Sequence, residues 1–350
     1  MLGLLVALAA QVAAPPANTW PTREQDVVLK DFRFRDGEKL PEVRVHVTTL
    51  GSPHRSSAGV IDNAVMVLHG TGGTGQQFLR PQFAGELYGP GQPLDIRKYW
   101  IILPDNIGHG KSSKPSDGLR MQFPKYDYDD MVEAQHRMLG QLGVTHLRLI
   151  FGTSMGCRHA FVWGETYPDF ASALMPMACE PVELAGLNRM WRQLAINGIE
   201  KDPAWQGGNY TAQPMAGLRA AQNLLFVAGS APLYYQAHYG TRPEASQFAE
   251  ESVSNALRSL DANDLIYQVD SSRNYNPWPN LERIKAPMMW INSADDFINP
   301  RNFTFPEKAV KRMPRAQFRL IPESAETHGH GTHTWAKFWK ADLIALLARS

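Results

Sequence analysis

Residues 147–160, LRLIFGTSMGCRHA, restrict the possible folds of this chain more than any other stretch. An apolar run of strand character turns through Gly152-Thr153-Ser154-Met155-Gly156. It continues as a helical pattern over 157–167 that stops at Pro168. A serine at a sharp strand-to-helix turn sits in a strained backbone conformation with its Oγ clear of the sheet. Glycines two residues before and after let strand and helix pass closely, because a side chain at either position would clash. The helix N-terminus behind Ser154 offers backbone N–H groups and a positive dipole end to an oxyanion. The plainer alternative is a serine in an ordinary glycine-rich turn, which needs no partners elsewhere in the chain.

A catalytic serine does need partners. Its hydroxyl is a weak nucleophile at neutral pH and requires a base within hydrogen-bond reach and a third group to orient that base. In a doubly wound sheet these follow in the order serine, acid, histidine, on loops at the C-terminal ends of strands. After the apolar run 287–291 the chain reads Asn292-Ser293-Ala294-Asp295-Asp296-Phe297-Ile298-Asn299-Pro300, which offers Asp295 and Asp296. After the last strand-like run, 316–321, it offers His328, His330 and His333. The loop His69-Gly70-Thr71-Gly72-Gly73 follows a third apolar run, 63–69. There the backbone N–H of Thr71, together with that of Met155, would form an oxyanion hole. His69 and His109 read as structural residues of their loops. A rival reading takes His328-x-His330-x-x-His333 as metal ligands, but Thr332 stands where such runs carry an aspartate, and the elbow would be left unexplained. No metal and no cofactor are therefore expected.

Composition narrows the class further. The chain has 350 residues, of which 43% are hydrophobic, enough for a large core. A formal net charge of +1 without a basic run argues against a nucleic-acid partner. Two cysteines make neither a disulfide framework nor a zinc site, and Cys157 reads as a small buried residue. Residues 2–14 are apolar apart from Gln11, with small residues before Pro15 and Pro16. This resembles a secretory signal cleaved after Ala14, although a basic leader is missing. Export to a periplasmic or secreted location is expected, with a cytoplasmic enzyme as the alternative. The segment is too short to span a bilayer, so no stable membrane insertion is expected. Strand-like runs at 26–34, 43–50, 63–69, 99–104, 171–178, 287–291 and 316–321 alternate with helical patterns at 129–142, 157–167 and 335–347. That pattern implies a mostly parallel sheet covered on both faces. Between 181 and 280 helical, aromatic-rich segments dominate. This stretch reads as a cap inserted between core segments 25–180 and 281–350. Its aromatics should mostly form the cap's core, and some should line a pocket above the sheet.

These motifs resemble the α/β-hydrolases and, within them, the homoserine O-acetyltransferase branch. The matching stretches are 94–104 (LDIRKYWIILP), 129–170 around the elbow and 171–191 beyond it. Asp202-Pro203-Ala204-Trp205, Asp261-Ala262-Asn263, residues 296–300 and Gly329-His330 match as well. The resemblance implies a sheet of about eight strands with a helical lid. It assigns the nucleophile to Ser154, the base to His330 and the acid to Asp296, because the family's proline follows the acid by four residues, as Pro300 does here. Three departures turn the expectation from transfer toward hydrolysis. The loop 108–113 is short. The lid segment 224–230 lacks the family's arginine, although Arg189, Arg192 and Arg219 stand close by in sequence and could substitute. Gly331 replaces the aspartate that follows the family's histidine. The expected activity is hydrolysis of a small-molecule ester or thioester through an acyl-enzyme. Acyl transfer to an alcohol or amine is the alternative, and a non-catalytic binding protein on the same fold is a third. A homodimer stays open.

Overall fold

The structure, a computed structural model, describes residues 20–350; the expected signal segment, 1–14, lies outside them. The long strands β1 (Thr22–Arg33) and β2 (Lys39–Leu50) form an antiparallel hairpin. There follow β3 (Ala64–Leu68), β4 (Trp100–Pro104), β5 (Leu149–Thr153), β6 (Leu174–Met177), β7 (Met288–Ser293) and β8 (Ala316–Ile321). They make one eight-stranded sheet in the order β1-β2-β4-β3-β5-β6-β7-β8. The hairpin joins β4 in antiparallel fashion, and all pairs from β4 to β8 are parallel.

Burial explains the apolar runs. Every residue of β3 and β5 is buried. Alternation along a strand then feeds two cores. Met66, Leu68 and Ile150 pack with α2 (Tyr128–Gln141) and α3 (Met155–Thr166) on one face. Val65, Val67 and Phe151 pack on the other, where α1 (Pro81–Leu87) contributes Phe83 and Leu87. Helix α2 starts where Asp127 accepts from the Asp130 N–H at 3.0 Å and the Asp130 carboxylate accepts in return from the Asp127 N–H.

Between β6 and β7 lie five helices: α4 (Gly186–Glu200), α5 (Met215–Ala228), α6 (Pro232–His238), α7 (Arg242–Leu257) and α8 (Ala262–Asp270). They enclose a separate apolar cluster that includes Ile199, Leu218, Val253, Leu265 and Val269. The aromatics of this stretch divide. Trp191 and Tyr210 are buried, whereas Phe226, Tyr235, Tyr239 and Phe248 form a stacked group on α5–α7. The chain closes with α9 (Phe305–Val310) and α10 (Lys340–Ala348). The expected closing helix starts late. Residues 329–338 form short 3₁₀ turns, and the extended φ of −139° at Trp339 interrupts helical geometry before α10. Among the described residues no helix is long and apolar enough to cross a membrane.

The reading of the cysteines is corrected. Cys157 and Cys179 form a disulfide. Their separation of 22 residues carries no recognisable motif; they meet because β5 and β6 are neighbours, so that the first turn of α3 faces the residues that follow β6. Closing a loop of this length contributes roughly 3 kcal/mol in the chain-entropy account.

Candidate active site

Ser154 follows β5 and caps α3 with φ 54° and ψ −107°, a conformation that L-residues rarely adopt. The elbow is sterically determined. A Cβ on Gly152 would stand 2.0 Å from the carbonyl oxygen of Gly156, and one on Gly156 would stand 2.2 Å from that of Leu68. A Cβ on Gly70 would come within 3.2 Å of the Ser154 Cβ, so the β3 loop crowds the serine as well. The Ser154 N–H donates to the Met177 carbonyl at 2.8 Å and the Gly156 N–H to that of His69 at 3.0 Å, which locks the turn between β3 and β6. Met155 is the first residue of α3, where a backbone N–H has no intrahelical acceptor.

The structure brings Ser154, His330 and Asp296 together. The Ser154 Oγ–H donates to His330 Nε2 at 2.8 Å, and His330 Nδ1–H donates to Asp296 Oδ2 at 2.8 Å. Asp296 is buried and also accepts from Asn299 Nδ2 at 2.8 Å, the Ile298 N–H at 2.8 Å and the Asn299 N–H at 3.2 Å. Burial would raise its pKa, but the facing His330 and these hydrogen bonds outweigh it and hold the carboxylate below its usual range.

The residues that sequence reasoning left as competitors go elsewhere. Asp295 accepts from Thr327 Oγ1 at 2.8 Å, from the Gly329 N–H at 2.9 Å and from Ser293 Oγ. One aspartate therefore meets the imidazole and its neighbour clamps the loop that carries it. His328 stacks on Trp335 at 4.1 Å and lies against Tyr234. His333 is buried, and that burial pushes its pKa down to about 3; its ring stands edge-on to His330 at 5.4 Å. His69 is enclosed, with Nε2 accepting the Asn106 N–H at 3.0 Å and Nδ1 donating to the Gly70 carbonyl. His109 donates to the Ile107 carbonyl. Among the described residues no group of three or more His, Cys, Asp or Glu side chains is arranged to hold a metal ion.

Ser154, His330, Thr71 and Gly72 open onto a cavity of about 380 Å³ that is closed by residues of α4, α5, α7 and α8. Among the described residues one arginine, Arg192, lines it. Its Nε donates to Asn188 Oδ1 at 2.9 Å and its Nη1 to the Val269 carbonyl at 3.1 Å, and the guanidinium lies 4.5 Å from the centre of the Trp191 ring. Burial pushes its pKa down to about 10. Arg189 pairs with Asp270 at 3.4 Å, and Arg219 with Glu250 at 2.9 Å. Sequence reasoning missed the clamp at Asp295, the support from Asn299 and the crowding at Gly70. The Asp295-Asp296 doublet was the one available signal. A nucleophile hydrogen-bonded to a base, a base held by a carboxylate and orphan N–H groups at a helix start are together suited to acyl transfer.

Residues 63–326 match the family described as alpha/beta hydrolase fold. A homoserine O-acetyltransferase from Moorella thermoacetica is 34% identical over 310 residues, covering 77% of this chain and 80% of that protein. Two solved structures share the fold. One is a homoserine O-acetyltransferase from Bacillus anthracis, with a TM-score of 0.83 at 21% identity, covering 94% of this chain and 98% of the other. The second is an acetylester hydrolase from Corynebacterium glutamicum, with a TM-score of 0.81 at 20% identity and coverage of 93% and 96%.

Proposed function

The chain belongs to the α/β-hydrolase-fold family, in its homoserine O-acetyltransferase-like branch, and on that premise we propose that it is a serine hydrolase cleaving a small ester or thioester. Ser154 Oγ attacks the acyl carbonyl while His330 Nε2 takes its proton. The backbone N–H groups of Thr71 and Met155 receive the oxyanion. The imidazolium returns the proton to the leaving alcohol or thiol, and Asp296 holds the ring in the tautomer this requires. Water, activated by the same histidine, releases the acid and restores Ser154. The observation that carries the proposal is the continuous relay from Ser154 through His330 to Asp296, with both links at 2.8 Å.

Transfer to an acceptor is the second reading. It is favoured by the transferase names of sequence relatives and by the presence of Arg192 in the pocket. A carboxylate-bearing acceptor is best held by a bidentate arginine fork. Two donor nitrogens of Arg192 are already engaged by Asn188 and Val269, which supports hydrolysis as the first reading. The proposal includes export to an oxidising compartment. The Cys157–Cys179 disulfide supports it, because such bonds persist there and are reduced in a cytosol.

A fluorophosphonate probe should label Ser154, and Ser154→Ala should abolish both labelling and ester turnover, by about 10⁶-fold in kcat. Labelling that persists in the variant would refute the nucleophile. With an acyl-CoA and L-homoserine both supplied, mass spectrometry should find free acid as the main product. O-acylhomoserine formed faster than acid would make transfer the primary activity.

A further inference from the structure

A second cavity, of about 360 Å³, lies between the chain that follows β6 and the loop that follows β7. Arg158 and Glu180 line it, together with Leu184, Leu187, Phe297 and Phe303. It is separate from the cavity above Ser154, and Ile298 lines both.

The polar end of this cavity is unbalanced. The Arg158 side chain is 1% exposed, yet its Nε and Nη1 are enclosed without hydrogen-bond partners, and it enters no ion pair among the described residues. The nearby Tyr275 ring, 5.9 Å away, gives partial compensation. A buried charge without a partner is costly, and proteins normally supply one. Glu180 does not fully do so. Its Oε1 accepts from Asn292 Nδ2 at 2.8 Å, while its Oε2 has no hydrogen-bond partner among the described residues. Burial, reinforced by the neighbouring Asp296 carboxylate, pushes its pKa up to about 8, so at neutral pH it is mostly a neutral acid that can donate. The disulfide fixes this arrangement, since Cys157 precedes Arg158 and Cys179 precedes Glu180. The remaining walls are aliphatic and aromatic, and Leu187, Phe297 and Phe303 are half-exposed at 50%, 45% and 42%.

We propose that this cavity binds a small monocarboxylate with an apolar body, an arylalkanoic or medium-chain alkanoic acid. Its carboxylate would meet the Arg158 guanidinium and the Glu180 hydroxyl, and its ring or chain would lie against Leu184, Leu187 and Phe303. One guanidinium and one neutral acid match a monoanion. A phosphate dianion would bring a second negative charge, and Arg158 is the one Lys or Arg among the described residues lining this cavity. The cavity volume lies within the range of small-molecule sites. Because Ile298 and Asn299 line this cavity and also hydrogen-bond Asp296, an occupant would bear on the loop that carries Asp296. The proposal holds whichever acceptor resolves the acyl-enzyme.

Isothermal titration of the full chain with phenylacetate and with octanoate tests it. One molar equivalent should bind. Arg158→Met should weaken binding by about tenfold or more, and Arg192→Met should leave it unchanged. The neutral analogue 2-phenylethanol should bind about tenfold more weakly than phenylacetate. Phe303→Ala, at a half-exposed wall whose truncation leaves the core intact, should weaken octanoate several-fold. Should Arg158→Met fail a thermal-melt check, the alcohol comparison and Phe303→Ala decide. Three outcomes would overturn the proposal: no binding at millimolar acid, equal binding of the alcohol, or loss of binding in Arg192→Met with retention in Arg158→Met. The last would move the acid to the cavity above Ser154.

Discussion

The two cavities on either side of the loop 296–300 each contain a buried arginine, and the two arginines are in opposite condition. Arg192, above Ser154, has Asn188 and the Val269 carbonyl as acceptors and the Trp191 ring beside it. Arg158, in the neighbouring cavity, donates no side-chain hydrogen bond among the described residues. A buried charge that its own protein satisfies belongs to the scaffold. One left unsatisfied is held there by the rest of the fold, which makes it a place for something else to bind. The same contrast separates Asp296, saturated by His330, Asn299 and two backbone N–H groups, from Glu180, whose Oε2 has no hydrogen-bond partner among the described residues.

The wall between the cavities gives the sharpest test. Asp296→Asn should lower kcat for an ester by about 10⁴-fold, because the amide favours the wrong imidazole tautomer. Asp295→Asn should cost about 10²-fold at most, through misplacement of the loop at Gly329. Steady-state kinetics on a p-nitrophenyl ester compare the two. A larger loss at Asp295 would exchange their roles and remove the distinction between the two sides of this loop.

Stability should separate the two arginines by sign. Arg192→Met removes two satisfied hydrogen bonds of a charged group and leaves acceptors bare, so it should destabilise by about 2–4 kcal/mol. Arg158→Met removes a charge with no hydrogen-bond partner and substitutes a flexible apolar chain of similar length. It should be neutral or stabilising by about 1 kcal/mol. Urea unfolding of the ligand-free proteins measures both. Equal losses would mean that Arg158 has a partner after all, and the contrast between the cavities would fail.

The smallest expected effect is in the pH dependence. Glu180 titrates at about 8 in the folded chain against its ordinary 4.5. A carboxyl whose folded pKa is raised contributes stability that is fully present below the unfolded value and is lost as pH rises through the folded one. Wild type should therefore lose stability between about pH 4.5 and 8 relative to Glu180→Gln, in the field of Arg158, Asp296 and Glu307. Glu165 and Asp130, both raised to about 7, act with the same sign in both proteins and cancel in the difference. Asp296 acts oppositely, since its lowered pKa contributes stability that is lost as pH falls. Thermal melts across pH 5–9 should converge at the acid end. Parallel curves would show that Glu180 is solvated, and the cavity floor would then lack its neutral donor.

Local chemistry already determined much of this protein. Strands buried on both faces must be apolar throughout, which made β3 to β7 visible, and alternating helices implied their parallel order. The elbow was legible because close passage of strand and helix tolerates glycine alone at residues 152 and 156. The positions of Ser154, the aspartate doublet and the histidine cluster each followed from a strand end. Chain order offered both Asp295 and Asp296, and the resemblance chose Asp296 through the spacing to Pro300; that this one faces the imidazole follows from the path of the loop, which depends on contacts with Gly329, Asn299 and Ala178. The disulfide was equally hidden, since Cys157 and Cys179 meet through the pairing of β5 with β6. The difference between Arg158 and Arg192 belongs to tertiary structure for the same reason. A guanidinium's condition depends on which acceptors the fold brings within hydrogen-bond distance: Arg192 has Asn188 one turn away on its own helix and the Val269 carbonyl brought by α8, whereas packing brings Arg158 none among the described residues.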